Sequence, residues 1–146
     1  MSMDVNVCLT HITAQVPTYA SEGAAGADLH ACINKRIPIW PNDTLSIPTG
    51  VSIEIPEGHM GLVFARSGLA SMQGLSPANK VGVIDSDYRG EIFVVLYNHS
   101  KEIRFIEPGQ RIAQLVISPV VHANFTVVNN LAVSERGSGG FGSTGK

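Results

Sequence analysis

The stretch that decides the fold, residues 80–92, reads K-V-G-V-I-D-S-D-Y-R-G-E-I. Val81, Val83 and Ile84 stand on one side of its polar centre, and a longer run of β-forming residues, 91–97, begins on the other. Both runs are typical of β-strands, and the polar residues between them are typical of a turn that ends in glycine. The pattern predicts a β-hairpin whose tip carries two carboxylates, a phenol and a guanidinium. Taken alone, that tip fits a plain tight turn and a chemical site equally well.

Short β-like runs bounded by proline, glycine or Asn-Asp continue on both sides of this stretch. One segment, Ser67–Gln73 followed by Gly74, is predicted as a helix of about two turns. The fold class is therefore all-β, a jelly-roll-like distorted β-barrel with one short helix and a flexible C-terminal tail. The further predicted strands are residues 5–12, 35–39, 44–47, 51–55, 61–65, 104–106, 110–119 and 125–127.

Two of the predicted strands are apolar on both faces. They are residues 92–97 and 112–117, and Gln114 is the exception in the second. Strands of this kind must be covered on both sides. A sandwich interior and a subunit interface would each provide that cover.

Composition limits the classes of function. The chain has 146 residues, 44% of them hydrophobic, which suits one domain with a core. A net charge of −2 gives no overall basic field, so nucleic acid is not expected as a partner. No apolar run is long enough for a membrane span, and no signal peptide is expected. Cys8 and Cys32 lack metal-ligand spacing, which is typical of a reduced, cytoplasmic protein.

The last eleven residues, 136–146, differ from the domain formed by residues 1–135. Five glycines and three hydroxyl residues cannot form a core, so the segment is predicted to be a flexible tail. Its G-x-G-x-x-G and G-x-x-x-x-G-K patterns lack the strand and helix context of dinucleotide-binding and P-loop folds. Arg136 and Phe141 stand out among its small residues as bulky side chains. They suggest a lid, with the guanidinium reaching phosphate and the ring stacking on a flat base.

Arg66, Ser67 and Gly68 stand where a strand leads into the predicted helix. Ser67 is a good N-cap residue, and the N–H groups of the first helical turn carry partial positive charge. With the adjacent guanidinium they form a plausible phosphate cradle. A capped helix beside a solvated arginine is the competing interpretation.

Three polar residues remain to be explained. Arg111 and Gln114 lie in an otherwise apolar strand, where each needs a polar partner. That partner is a ligand in one interpretation, and a structural hydrogen bond or an interface contact in the other. Asp28 ends a loop of small residues, where it either orients a metal-bound water or braces the loop.

Five collinear segments together resemble the five motifs of the trimeric deoxyuridine triphosphatases (dUTPases). Each motif alone is weak, but their common order over almost the whole chain is specific. They are A-A-G-A-D-L at 24–29, A-R-S-G-L-A at 65–70, N-K-V-G-V-I-D-S-D-Y-R-G-E at 79–91, P-G-Q-R-I-A-Q-L at 108–115 and R-G-S-G-G-F-G-S-T-G at 136–145.

The resemblance implies a homotrimer with three active sites, each built from all three chains. It implies hydrolysis of dUTP to dUMP and pyrophosphate, which limits uracil in DNA and supplies dUMP for dTMP synthesis. Asp85 would hold and activate the water that attacks the α-phosphorus. Tyr88 would lie under the deoxyribose and exclude a ribose 2′-hydroxyl.

The resemblance also implies the remaining site residues. Asp28 would contact Mg²⁺ through water, with the ion held mainly by the substrate phosphates, and Arg111 would brace the site. Uracil would be read by Asn79 and by the backbone of Val83, Ile84 and the strand near Phe93. The phosphates would be bound by Arg66, Ser67, Gly68, Gln114 and Arg136. Phe141 and Gly142 belong to the tail that would close over the base.

Two other functions remain as alternatives. A dCTP deaminase of the same fold would need a catalytic glutamate, and Glu91, predicted as part of a strand, is the nearest candidate. A non-catalytic nucleotide sensor or interaction module could lose its water-activating aspartate or its tail. This chain keeps Asp85, its spacing to Tyr88, and the tail.

Overall fold

A computed structural model describes residues 3–141 of the chain. Within them the chain forms twelve β-strands and one helix, α1 (Ser67–Gln73). The strands in chain order are β1 (Asn6–Leu9), β2 (Thr18–Tyr19), β3 (Ala27–His30), β4 (Ile37–Ile39), β5 (Thr44–Pro48), β6 (Val51–Glu54), β7 (His59–Phe64), β8 (Leu75–Pro77), β9 (Gly82–Ile84), β10 (Phe93–Asn98), β11 (Arg104–Ile106) and β12 (Arg111–Pro119).

The strands form four sheets, and every pairing is antiparallel. The largest sheet has the order β2-β3-β12-β7-β9, and a second has the order β5-β10-β8. Two ribbons, β1-β6 and β11-β4, complete the set. The all-β, jelly-roll-like class is thus confirmed, although no sheet closes into a barrel between residues 3 and 141.

The core lies between these sheets and consists mainly of branched aliphatic side chains. Leu29, Ile47, Leu96 and Ile112 are each at most 1% exposed. Alternation along β10 sends Val94 and Leu96 inward, whereas Phe93 and Val95 stay exposed. A sandwich interior therefore does not cover both faces of β10 in this chain.

The predicted hairpin at residues 80–92 is wrong, although both of its strands exist. β9 pairs with β7, with Leu62 opposite Val83, and β10 pairs with β5 and β8. Residues 85–92 are thus a connection between two sheets. At its end Ile92 donates its backbone N–H to the carbonyl of Val51, at 2.8 Å, and this bond directs the chain toward a different partner strand.

The predicted helix is confirmed, and it ends at Gly74 (φ 68°). A Cβ at Gly74 would lie 2.8 Å from Cβ of Ser100, so the left-handed backbone and the close approach both require glycine. Ser67 as a side-chain N-cap is wrong. The N-cap position is Arg66, and no side chain caps this end of the helix.

Other differences from the expected strands lie at the two ends of the chain and in one loop. Residues 125–127 form no strand, and Phe125 and Val127 are almost fully exposed. The loop expected before Asp28 instead leads into β3, which pairs with β2 on one side and β12 on the other. β2 and β8 were not expected from the sequence. No helix within residues 3–141 is long and apolar enough to cross a membrane.

Asn98 is fully buried and joins three segments of backbone. Its Nδ2 donates to the carbonyl oxygens of Ile39 at 2.8 Å and of Glu102 at 2.9 Å. Its Oδ1 accepts hydrogen bonds from the backbone N–H and the hydroxyl of Ser100. The side chain therefore fixes the turn after β10 against β4.

Replacing this side chain should be costly. We expect Asn98→Ala to lower the free energy of unfolding by about 2–4 kcal/mol, because it leaves buried donors and acceptors without partners. Urea unfolding measures the change. The matched variant Asn130→Ala, at an exposed position, should change stability by less than about 0.5 kcal/mol. Equal stability of the two variants would contradict the structural role of Asn98.

Candidate active site

A cavity of about 270 Å³ lies between β9, the 85–92 connection and the start of β10. It unites the predicted residues for the base, the sugar and the water: Asn79, Val83, Ile84, Asp85, Tyr88 and Phe93. Val63, Pro77, Gly82, Glu91, Ile92, Val94 and Val95 complete its lining.

The cavity exists because two strands separate at its mouth. β9 is the edge strand of its sheet, with β7 on one side and no strand on the other among the described residues. β8 pairs with β10 only from Leu96 onward, so the first residues of β10 have no strand on that side. Backbone N–H and C=O groups on both edges are therefore available to a ligand.

Asp85 and Tyr88 come from the connection that forms one end of the cavity. Asp85 directly follows β9, and its carboxylate is exposed. The backbone N–H of Tyr88 donates to the carbonyl of Asp85 at 3.1 Å, which closes a turn between them. The hydroxyl of Tyr88 donates to the carbonyl of Glu91 at 2.9 Å. A Cβ at Gly90 would lie within 3 Å of the Tyr88 ring, so glycine is needed for the ring to pack there.

A second, smaller cleft holds most of the predicted phosphate groups. Its volume is about 230 Å³, and Arg66, Ser67, Gly68 and Gln114 line it together with Asp28. The amide of Gln114 donates to the carbonyl of Ala65 at 2.9 Å, so this residue does make the structural hydrogen bond that was one of its two interpretations.

Asp28 is buried and accepts hydrogen bonds from two arginines. Nε of Arg66 lies 2.9 Å from one of its oxygens, and Nη1 of Arg111 lies 3.1 Å from the other. Both partners come from distant parts of the chain, so the carboxylate fixes two guanidinium groups at the cleft. Between residues 3 and 141 no three His, Cys, Asp or Glu side chains cluster as metal ligands. The side chains present do not form a metal site of their own.

The cavity and the cleft have no lining residue in common. The cavity lies at the β9 edge of the five-stranded sheet, whereas Gln114 in the cleft comes from β12, which β7 separates from β9. The single chain therefore does not bring the phosphate residues to the cavity.

The described part of the tail, residues 136–141, lines neither the cavity nor the cleft. Nε of Arg136 donates to the carbonyl of Gly139 at 2.9 Å, within the tail itself, and the side chain of Phe141 is fully exposed. Gly142, the third predicted tail residue, lies outside the described residues. The preceding apolar side chains of the C-terminal segment, among them Val121, Phe125, Leu131 and Val133, are exposed as well.

Two further residues belong to this region and were not assigned as site residues from the sequence. Glu91 lies outside β10, not within a strand, and its carboxylate accepts the backbone N–H of Gly50 at 2.7 Å. His30 lines a polar cleft beside Arg66 and Arg111, and its buried Nδ1 has no hydrogen-bond partner among the described residues. Neither feature has a local sequence signal, since each depends on residues distant in the chain.

Burial lowers the pKa of His30 below its ordinary value. The charge of Asp28 opposes this shift, and the charges of Arg111 and Arg66 add to it. The imidazole of the folded protein therefore stays neutral at a pH at which the unfolded chain already binds a proton. The stabilisation associated with neutral His30 is complete above about pH 6.5 and is lost as the pH falls toward the lower, folded-state pKa.

This shift predicts a pH-dependent difference between two proteins. Urea unfolding of the wild type and of His30→Gln, measured from pH 7.5 to pH 5, should show a larger decrease in stability for the wild type. His122→Gln, in the exposed C-terminal segment, serves as the control and should follow the wild type. Parallel curves for the wild type and His30→Gln would mean that His30 titrates normally in the folded protein.

Comparison with known proteins identifies the family of this chain. A family model described as dUTPase matches residues 13–145. Two similar relatives are both called deoxyuridine 5'-triphosphate nucleotidohydrolase. The protein from Azoarcus sp. (strain BH72) is 44% identical over 145 residues, which cover 99% of this chain and 97% of the relative. The protein from Methylobacillus flagellatus is 44% identical over 147 residues, covering 100% and 98%.

Solved structures show the same fold. The dUTPase of Staphylococcus bacteriophage 80alpha, a mutant with dUpNHpp, superposes with a TM-score of 0.88 at 29% identity, covering 99% of this chain and 100% of that one. A mutant dUTPase from phage phi11 of S. aureus, described with a structural Mg(II) ion, gives a TM-score of 0.77 at 26% identity over 88% of this chain and 98% of that one. The chain therefore belongs to the dUTPase family.

Proposed function

We propose that this protein hydrolyses dUTP to dUMP and pyrophosphate, with Asp85 activating the water that attacks the α-phosphorus. The observation that carries the proposal is the cavity in which Asp85, Tyr88 and two open strand edges meet. The family supports the substrate. The exposed carboxylate of Asp85 stands at the end of the cavity where a water could be held and deprotonated.

The strand edges suit the recognition of uracil. Uracil differs from cytosine in its pattern of hydrogen-bond donors and acceptors, and backbone groups of β9 and β10 can match that pattern without a charged side chain. The amide nitrogen of Asn79 would lie 3.3 Å from a Cβ built on Gly82, so Asn79 packs closely against the β9 edge. A close backbone wall would also disfavour the methyl group of thymine, by about 1–3 kcal/mol.

The sugar would lie on Tyr88. Its ring lines the cavity and is fixed by Gly90 beneath it and by the hydrogen bond from its hydroxyl to Glu91. In this proposal the fixed ring packs against the sugar 2′-carbon, where it would exclude a ribose 2′-hydroxyl and so favour deoxyribose.

The triphosphate requires groups that this chain holds elsewhere. The cleft with Arg66, Ser67, Gly68 and Gln114 shares no lining residue with the cavity, and Arg136 and Phe141 do not line the cavity either. We therefore propose a homotrimer with shared active sites, in which neighbouring copies supply the phosphate cleft and the tail, including Gly142. Positive groups around the phosphates would stabilise the charge that builds up in the transition state.

Magnesium would neutralise charge on the triphosphate when bound. The proposed Mg²⁺ is held mainly by the substrate phosphates, since both oxygens of Asp28 already accept hydrogen bonds from arginines. Contact of Asp28 with the ion through water stays a prediction. The main contribution of Asp28 in this proposal is to orient Arg66 and Arg111.

The proposed setting is the cytoplasm, where such an activity limits uracil in DNA and supplies dUMP for dTMP synthesis. Cys8 and Cys32 are both free thiols, as expected in a reducing compartment.

The deaminase alternative loses support from the position of Glu91. One oxygen of its carboxylate already accepts the backbone N–H of Gly50, which ties the side chain to a structural contact. Release of ammonia from dCTP would favour that alternative.

The role of Asp85 predicts the effect of Asp85→Asn. We expect this variant to reduce kcat on dUTP by about 10²–10⁴-fold, because an amide cannot take the proton of the attacking water. Binding of dUTP should be largely retained. Pyrophosphate release and isothermal titration calorimetry measure the two effects. Asp87→Asn, in the same connection but outside the cavity lining, is the matched control and should keep most of the activity. Near-normal turnover of Asp85→Asn would show that another group activates the water.

The proposed tail function predicts the effect of a deletion. Removing residues 136–146 should lower kcat/KM by about 10²-fold or more, because the base and phosphates lose their cover. Thermal unfolding and the size on gel filtration should not change, since the described part of the tail, residues 136–141, contributes nothing to the core.

A shorter deletion, residues 143–146, keeps Arg136, Phe141 and Gly142 and is the matched control. It should retain most of the activity. Full activity after deletion of residues 136–146 would mean that the tail is only a linker.

A further inference from the structure

Glu91 holds the connection that carries Tyr88 against a separate turn. Its Oε1 accepts the backbone N–H of Gly50 at 2.7 Å, in a half-buried position. Its Oε2 lies 3.4 Å from the hydroxyl of Thr10. Charge-assisted bonds from backbone N–H groups are the stronger kind, so the Gly50 contact is the main one.

The turn at Gly50, to which Glu91 is hydrogen-bonded, is closely packed. Gly50 has φ 68°, and a Cβ there would lie 2.5 Å from Cβ of Ala14 and 2.9 Å from Sγ of Cys32. The carbonyl of Gly50 accepts the backbone N–H of Thr10 at 2.8 Å. The backbone of this turn therefore has little freedom to move, and it is a suitable fixed point.

The backbone carbonyl of Glu91 holds the side chain of Tyr88. The hydroxyl of Tyr88 donates to the carbonyl oxygen of Glu91 at 2.9 Å. Any shift of Glu91 relative to Gly50 therefore moves the acceptor that sets the ring of Tyr88. Gly90 lies between Tyr88 and Glu91 in the chain and packs closely against the ring of Tyr88. The backbone at Gly90 therefore has little space in which to offset such a shift.

The next residue is anchored independently. Ile92 donates its backbone N–H to Val51 at 2.8 Å, and its carbonyl accepts the hydroxyl of Thr49 at 2.6 Å. These bonds do not involve the carboxylate of Glu91, but the N–H of Ile92 belongs to the same planar peptide group as the carbonyl of Glu91 and restrains that acceptor from one side. Loss of the carboxylate should thus remove the restraint on the side of Tyr88 and Gly90 without detaching β10.

We propose that Glu91 is a positioning residue for sugar selection, because its carboxylate ties the Tyr88 segment to the Gly50 turn. This inference rests on the proposed function, in which the sugar lies on Tyr88. It assigns Glu91 no contact with the substrate and no proton transfer. Its effect on the reaction passes through the position of Tyr88.

The kinetic test compares Glu91→Ala with Glu91→Gln on dUTP and UTP. Alanine removes the acceptor of the Gly50 N–H, and we expect it to lower the ratio of kcat/KM for dUTP over UTP by about tenfold. KM for dUTP should rise more than kcat falls, because Tyr88 contacts the sugar and not the reacting phosphorus. Glutamine keeps an acceptor oxygen of the same reach and should hold the ratio within about threefold of the wild type.

Two further variants frame the result. Tyr88→Ala sets the ratio expected when the sugar contact is lost. Glu102→Ala removes an exposed carboxylate outside the cavity and should leave the ratio unchanged. A structural readout accompanies the kinetics, namely hydrogen exchange of the Gly50 amide by NMR, which should be faster in Glu91→Ala and close to wild type in Glu91→Gln.

Three outcomes would overturn the inference. They are an unchanged dUTP:UTP ratio in Glu91→Ala, a loss in Glu91→Gln as large as in Glu91→Ala, and unchanged exchange at Gly50. Each of them leaves the proposed function intact as long as the wild type prefers dUTP. A wild type that shows no such preference contradicts the proposed function itself, and sugar selection by Glu91 with it.

Discussion

The site depends on the separation of β9 and β10 into different sheets. Residues 85–92 connect the end of β9 to the start of β10. β9 belongs to the five-stranded sheet, whereas β10 belongs to the three-stranded one. Two strands that paired with each other would use their backbone groups internally and leave no cavity. Because they separate, donors and acceptors on both edges face a common space that has room for a flat ring of nucleobase size. The connection then places a carboxylate and a phenol at the end of that space.

A buried carboxylate organises the charged part of the molecule in a comparable way. The carboxylate of Asp28 binds Arg66, which follows β7, and Arg111, which begins β12. Asp28 itself lies on β3, between β2 and β12. One negative charge offsets two positive ones, so the group as a whole stays positive. An anion can therefore bind there, while the arginines are held in place before it arrives. His30, kept neutral by burial, adds no further charge near this group at neutral pH.

Local sequence signals predicted the parts of the fold that local interactions determine. The helix Ser67–Gln73 and its end at Gly74 follow from residues adjacent in the chain, and they were predicted correctly. The hairpin was wrong because strand propensity does not specify the partner strand. The strand β3 was missed because its sequence, Ala-Asp-Leu-His, favours β structure weakly, and pairing on both sides overrides that preference.

The sequence predicted a set of site residues, but it did not predict how they are arranged. The collinear motifs identified Asn79, Asp85 and Tyr88, which the structure brings to one cavity. No sequence pattern indicated that Gln114 would line a cleft separate from this cavity, because that depends on how β12 and β9 are arranged around β7. The Glu91–Gly50 contact joins residues that are far apart in sequence, so it could be found only from the structure.

The open strand edges also carry an energetic consequence. Backbone groups that face a cavity forgo sheet hydrogen bonds, and a group left without any partner costs about 1–3 kcal/mol. Water can satisfy them in the free protein, but only a ligand with the matching pattern can replace that water without loss. The same edge that weakens the sheet thus penalises a base with the wrong donors and acceptors. Selectivity for the base can therefore arise from the interruption of the sheet, without a charged side chain. The contacts of Glu91 and Ile92 hold the connection between the two strands, so they determine how precisely the two open edges are positioned.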